Sequence, residues 1–119
     1  SQQVTTFAIT GEYMVCGLGD PETQKFYYET IRISDGKVST ADSAVPLWRL
    51  AGSGSSCMYV DDTFAAHILY PDTQQTDPLV INDFATYQNW PTVFCPDGVG
   101  GYLVEMDIED TVTYWHITT

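Results

Sequence analysis

Turn-forming residues break this chain so often that no interval is left for a long amphipathic helix. Asp20-Pro21, Asp35-Gly36, Gly52-Ser53-Gly54, Asp61-Asp62, Pro71-Asp72, Asp77-Pro78 and Pro96-Asp97-Gly98 punctuate it from end to end. Glycine supplies positive φ, proline pre-sets φ, and aspartate bonds back to its own backbone. Between the turns lie short runs rich in Val, Ile, Thr, Tyr and Phe. Lys25–Ser34 is the clearest, and it ends at Asp35-Gly36, the best hairpin signal in the chain. Gln3–Thr10, Glu12–Gly17, Lys37–Thr40, Leu47–Ala51, Cys57–Val60 and Thr63–Tyr70 read as further strands. Leu79–Ile81, Thr92–Cys95, Tyr102–Asp107 and Thr111–Thr118 follow.

Roughly ten short strands spaced by about 8–12 residues predict an all-β fold, a compact antiparallel sandwich or barrel. Helix signals are confined to Asp20-Pro21-Glu22, leading toward Phe26, and Asp77-Pro78, leading toward Phe84. The β-branched residues after each start limit them to a turn or two. With 119 residues and 44% apolar content, the chain reads as one domain over residues 1–119.

An internal repeat is suggested by the cysteines, Cys16, Cys57 and Cys95, spaced 41 and 38 residues apart. Val60–Ile68 can also be laid over Ile108–His116, both reading apolar, acid, acid, Thr, apolar, then a strand. Units of about 40 residues suit a trefoil-like three-fold arrangement or propeller blades. Pro96–Ile117 resembles one WD40-type propeller blade through its P-D-G, G-Y-L-V-E-M-D and E-D-T-V-T-Y-W-H-I segments. It covers under a fifth of the chain, lacks the G-H dipeptide, and carries Trp115-His116 in place of W-D. Gln88-Asn89-Trp90 is similar to the Q-x-W of ricin-type trefoil lectins, but it occurs once where that family repeats it. Neither resemblance assigns a family.

Charge excludes more than the motifs do. Four basic residues face sixteen acidic ones, a net charge of −12. The four cations, Lys25, Arg32, Lys37 and Arg49, fall within 25 residues, and no Lys or Arg follows Leu50. Phosphate backbones and anionic membranes are held through cationic side chains, so nucleic acid and membrane surfaces are poor partners. No apolar run approaches the roughly 20 residues of a membrane helix. The remaining partners are a glycan or protein surface, cations, or other copies of the chain. The sequence opens Ser1-Gln2-Gln3 without a signal-peptide pattern, compatible with a processed mature chain. Low lysine, abundant Thr and Tyr, and acidity point to an extracellular setting. Three cysteines allow one disulfide in any pairing and leave a thiol free or shared between chains.

Catalytic signatures are scarce. A nucleophilic triad would need His67 or His116, both on strands, and Gly52-Ser53-Gly54-Ser55-Ser56 lacks the nucleophile-elbow spacing. The acids are numerous but nothing pairs them across a substrate. Asp107, Glu109 and Asp110 lie close enough in sequence to share calcium, although no EF-hand loop is present. No other cofactor is implied. The aromatic residues offer a binding surface, since Tyr114 and Trp115 must point to opposite faces of one strand. Trp90, Trp115, Tyr114 and Asp97 are the ligand-binding candidates. The sequence therefore reads as a non-catalytic, extracellular module that binds glycan or protein ligands. The alternative is a structural subunit of a fibre, coat or capsid-like assembly, with oligomers built by strand addition at the chain's strand-like ends.

Overall fold

The computed structural model describes residues 3–20, 22–79, 91 and 93–118. These form three antiparallel sheets and no helix. The first sheet is a meander of β1 (Gln3–Ile9), β2 (Tyr13–Asp20), β3 (Lys25–Arg32) and β4 (Val38–Ser43). The second repeats the pattern with β5 (Trp48–Ser53), β6 (Ser56–Val60), β7 (Ala66–Tyr70) and β8 (Gln75–Leu79). The third is ordered β11-β10-β9, from β9 (Val93–Pro96), β10 (Tyr102–Ile108) and β11 (Thr111–Ile117). Within each sheet every strand pairs antiparallel with its sequence neighbour through a short turn, while the equally short link from β4 to β5 passes to the next sheet.

The all-β expectation stands, with two refinements. Among the described residues no sheet closes into a barrel, and the meanders keep free edges at β4 and β8. A trefoil-like three-fold repeat is not shown. Cys16, Cys57 and Cys95 do fall one to a sheet, on β2, β6 and β9. All three sheets are sequential meanders, of four, four and three strands among the described residues.

Two local readings are corrected. Asp20 starts no helix; its carboxylate accepts the Glu22 amide and its carbonyl accepts the Gln24 amide, closing a turn. Asp77-Pro78 lies inside β8, where Pro78 sits opposite His67. A proline is tolerated there because β8 is an edge strand among the described residues. The remainder of that helix reading, and the strand reading at 80–81, lie outside the described residues.

The second sheet is central and buries both faces. Every residue of β6 is buried. Cys57 and Tyr59 point toward the first sheet and join Ala8, Val15, Tyr28 and Leu69. Met58 and Val60 point the other way and join Ile68, Tyr102, Val104 and Met106. Fully burying side chains of this size contributes about 1.5–3 kcal/mol each relative to exposure. Polar ties fix the sheets to one another. Tyr28 donates its hydroxyl to the Gln74 carbonyl at 2.7 Å, and Thr5 donates to the Leu47 carbonyl at 3.1 Å. The Ser56 and Tyr102 hydroxyls share a buried hydrogen bond of 2.8 Å between the second and third sheets. Gly52 permits close approach of β5 to β1, since a Cβ there would collide with the Ile9 carbonyl.

Candidate functional site

The most elaborate polar arrangement is the five-residue loop Asp61–Ala65 between β6 and β7. Asp61 is 2% exposed, yet its carboxylate is fully engaged. One oxygen, Oδ1, accepts the Thr63 amide at 2.8 Å, the Thr63 hydroxyl at 2.7 Å and the Ala65 amide at 3.1 Å. The other lies 2.8 Å from His67 Nε2. Burial pushes the Asp61 carboxyl up. The Thr63 hydroxyl, His67 and the two amides outweigh it and hold the group below the ordinary carboxylate range. His67 in turn stacks on Tyr59, with ring centroids 4.7 Å apart.

The arrangement recurs in the third sheet. Asp97 Oδ1 accepts the Val99 amide at 2.8 Å and the Gly101 amide at 2.9 Å, while Oδ2 meets His116 Nε2 at 2.6 Å. Its carboxyl is lowered by the His116 hydrogen bond first, then by the Val99 and Gly101 amides. Both loops place Asp at the first position, take the amides at positions three and five, and clasp a strand histidine. The sequence alignment of Asp61 with Glu109 is thereby corrected. Glu109 and Asp110 form a two-residue turn, both at positive φ, between paired Ile108 and Thr111. Asp61 corresponds instead to Asp97.

A dyad of aspartate and histidine is also the orienting half of a catalytic triad. Among the described residues neither clasp is hydrogen-bonded to a serine or cysteine, and the two lie on different sheets. Their common element is the loop they close. The chemistry they perform is turn-locking: a fixed carboxylate satisfies backbone amides and pins a histidine on a strand.

The ligand-binding candidates are scattered. Trp115 points inward and packs against the core between the second and third sheets. Tyr114 points outward and is 71% exposed. Asp97 is committed to its clasp, and Trp90 lies outside the described residues. For the calcium candidates, Asp107 faces Val112 across the β10–β11 pair while Glu109 and Asp110 make the turn. No three His, Cys, Asp or Glu side chains converge as a metal site among the described residues. A cleft of about 590 Å³ opens between the outer strands of the first two sheets, lined by Tyr28, Asp42, Ser43, Tyr59, His67 and Gln74.

The feature that the sequence reading missed is the outer face of the first sheet. Register aligns Ile9, Met14, Ile31 and Val38 in one row across all four strands, on the side away from the second sheet. The next row is Phe7, Cys16, Glu29 and Thr40. Val4, Phe7 and Ile9 are 61%, 65% and 59% exposed. The inward row, Ala8, Val15, Thr30 and Ser39, is smaller and more polar. A sheet with one solvated face normally alternates apolar-in and polar-out. Here both faces carry apolar side chains, as in the central sheet. The available signal was β2 and β3, Y-M-V-C-G-L-G-D and K-F-Y-Y-E-T-I-R, which are apolar in both parities.

No family model, curated protein or solved structure matches this chain. The reading of its function rests on these surfaces alone.

The third sheet also has an uncovered side. Leu103 pairs with His116 and Cys95, Glu105 with Tyr114, and Asp107 with Val112, all pointing away from the second sheet. Leu103, Val112 and Tyr114 are substantially exposed. Among the described residues the three sheets thus form a stack with an outer face at each end that no further sheet covers.

Proposed function

We propose that this chain is a non-catalytic structural module that self-associates through the outer face of its first sheet. The observation that carries the reading is the outward row Ile9, Met14, Ile31 and Val38, half-buried at its centre and exposed at Ile9 and Val38, with exposed Phe7 beside it. Contiguous exposed apolar patches on a soluble domain mark interaction surfaces. The occupant is a second copy of the chain. The contact is an apolar one, because Lys25 stands opposite Asp20 and shares the face with Glu29 and Asp42, and the net charge of −12 on each copy opposes association. The recurrence of the aspartate–histidine clasp supports a non-catalytic reading, because an arrangement used twice to close a loop is architectural. Association by sheet faces replaces strand addition as the mechanism; an extracellular setting remains part of the proposal.

Phe7→Glu tests the reading by measuring mass against concentration. The residue is exposed, so circular dichroism and the thermal midpoint should stay close to wild type while association weakens at least tenfold. Phe7→Leu, which keeps the patch apolar, should associate as wild type does. Equal association of Phe7→Glu and wild type would refute the role of this face.

A further inference from the structure

We infer that the inner face of the first sheet carries a binding site for one small tetrahedral oxyanion, phosphate or sulfate, held by Arg32 and Lys37 beneath the turn between β7 and β8. The anion is either free or the terminal group of a larger ligand. The site lies on the opposite side of the sheet from Phe7 and Ile9, so it stands whether or not the chain self-associates.

Strand register builds the floor of the site. Alternation puts Arg32 on the same face of β3 as Thr30, which is buried toward the second sheet. Tyr13 stands opposite Arg32, and Ser39 opposite Thr30. The Arg32 amide donates to the Lys37 carbonyl at 2.9 Å, which sets Lys37 beside Arg32 at the hairpin end. The turn Pro71-Asp72-Thr73-Gln74 overhangs this floor. Two hydrogen bonds hold it in place. Tyr28 donates to the Gln74 carbonyl at 2.7 Å, and Gln74 Nε2 donates to the Thr30 hydroxyl oxygen at 3.4 Å. Floor and turn enclose a cleft of about 150 Å³.

The chemistry of this cleft runs against that of the chain. Only four side chains carry positive charge against a net −12, and two of the four line this cleft. Asp72 is the single carboxylate in the lining. The hydroxyls of Tyr13, Ser39 and Thr73 add donors for anion oxygens. Thr30 accepts from Gln74 and so keeps its own O–H to donate. Arg32 Nε is buried with no acceptor among the described residues. Buried donors are almost always satisfied by protein, water or an ion. The ion pair that Arg32 does make is a 3.5 Å contact from Nη1 to Asp35, with both side chains substantially exposed, and such pairs contribute little. Lys37 makes no ion pair among the described residues.

A guanidinium is a planar fork that matches two oxygens of a phosphate or sulfate, and an ammonium adds a point charge. Donors reach the cleft from the sheet floor, the hairpin end and the turn, a three-sided arrangement that a tetrahedral anion fills and a planar carboxylate does not. Two cations against one carboxylate suit a single oxyanion. They do not suit a polyanion, whose hold depends on many neutralised phosphates.

The experiment is equilibrium dialysis of the intact chain against radiolabelled phosphate at neutral pH, with ionic strength held constant by sodium chloride. The expected result is saturable binding of one ion per chain, displaced by sulfate and not by acetate. Lys37 is exposed, so Lys37→Gln keeps the fold. Lys37→Gln and Arg32→Gln should each weaken binding by about tenfold, and Asp72→Asn should tighten it. Glycerol phosphate that displaces the label at a lower concentration than unlabelled phosphate assigns the anion as a terminal group; a higher concentration assigns the free ion. No saturable binding, or binding in Lys37→Gln and Arg32→Gln equal to wild type, overturns the site. Displacement by acetate as effective as by sulfate overturns its assignment to a tetrahedral anion.

Discussion

Asp61 and Asp97 show how single carboxylates are made structural. Each satisfies amides that a five-residue loop would otherwise leave unpaired, and each fixes a histidine. Removing one partner of a buried hydrogen-bond network leaves the others unsatisfied. Asp61→Asn should therefore cost about 1–3 kcal/mol in urea unfolding. The pH dependence has a definite sign. The folded-state value of Asp61 lies below the ordinary carboxylate value of about 3.9, so its contribution is complete above that value. It is lost as pH falls through the lower, folded-state value. The urea midpoint of the wild type should drop as pH falls below about 4, and that drop should be smaller in Asp61→Asn. An unchanged acid profile would remove Asp61 from the account. Gly101 belongs to the same scale. An added Cβ would meet the Ile117 carbonyl and lie 2.6 Å from Asp97 Oδ2, so Gly101→Ala should destabilise by about 1–3 kcal/mol in thermal unfolding.

Strands and their contacts decide which aromatic residues are available. Trp115→Ala should cost about 2 kcal/mol of stability, since its ring packs on the core between the second and third sheets. The change would be visible as a lower urea midpoint, where a pure ligand platform would leave stability untouched. Tyr102→Phe removes the hydroxyl that bridges to Ser56 and should cost about 1 kcal/mol by the same measure. The strands themselves were legible in the sequence. Lys25–Ser34 and Cys57–Val60 announce themselves by β-branched and aromatic content, and Pro96-Asp97-Gly98 by turn chemistry. β8 was not legible, because its Asp77-Pro78 reads as a turn and only its place at a sheet edge makes the proline tolerable. The clasps were not legible either. Asp61 and His67 are six residues apart, Asp97 and His116 nineteen, and register rather than spacing brings each pair together. The outer face of the first sheet was hidden for a related reason. Apolar residues in both parities of a strand mark two apolar faces, but the sequence does not say which of them packs on the second sheet.

At the scale of the whole molecule, three sheets make two buried interfaces and leave two end faces. The interior interfaces account for the two apolar clusters of the core. The end faces account for the large exposed apolar residues Val4, Phe7, Ile9, Val38, Leu103, Val112 and Tyr114, which no fold of an isolated, fully solvated domain requires. Net charge and patch chemistry act in opposite directions here. Repulsion from −12 opposes association at low ionic strength, and salt screens it. Association should therefore strengthen from low to moderate salt, read as an increase in average mass at fixed protein concentration. Weakening over that range would mean that charge contacts dominate and not the apolar rows.

The most direct measurement is sedimentation equilibrium of the unmodified chain, under reducing conditions, over a hundredfold range of concentration. Self-association through sheet faces predicts an average mass that rises from the 13.3 kDa protomer to a multiple of it. A mass that stays at one protomer throughout, with the fold intact, would contradict it.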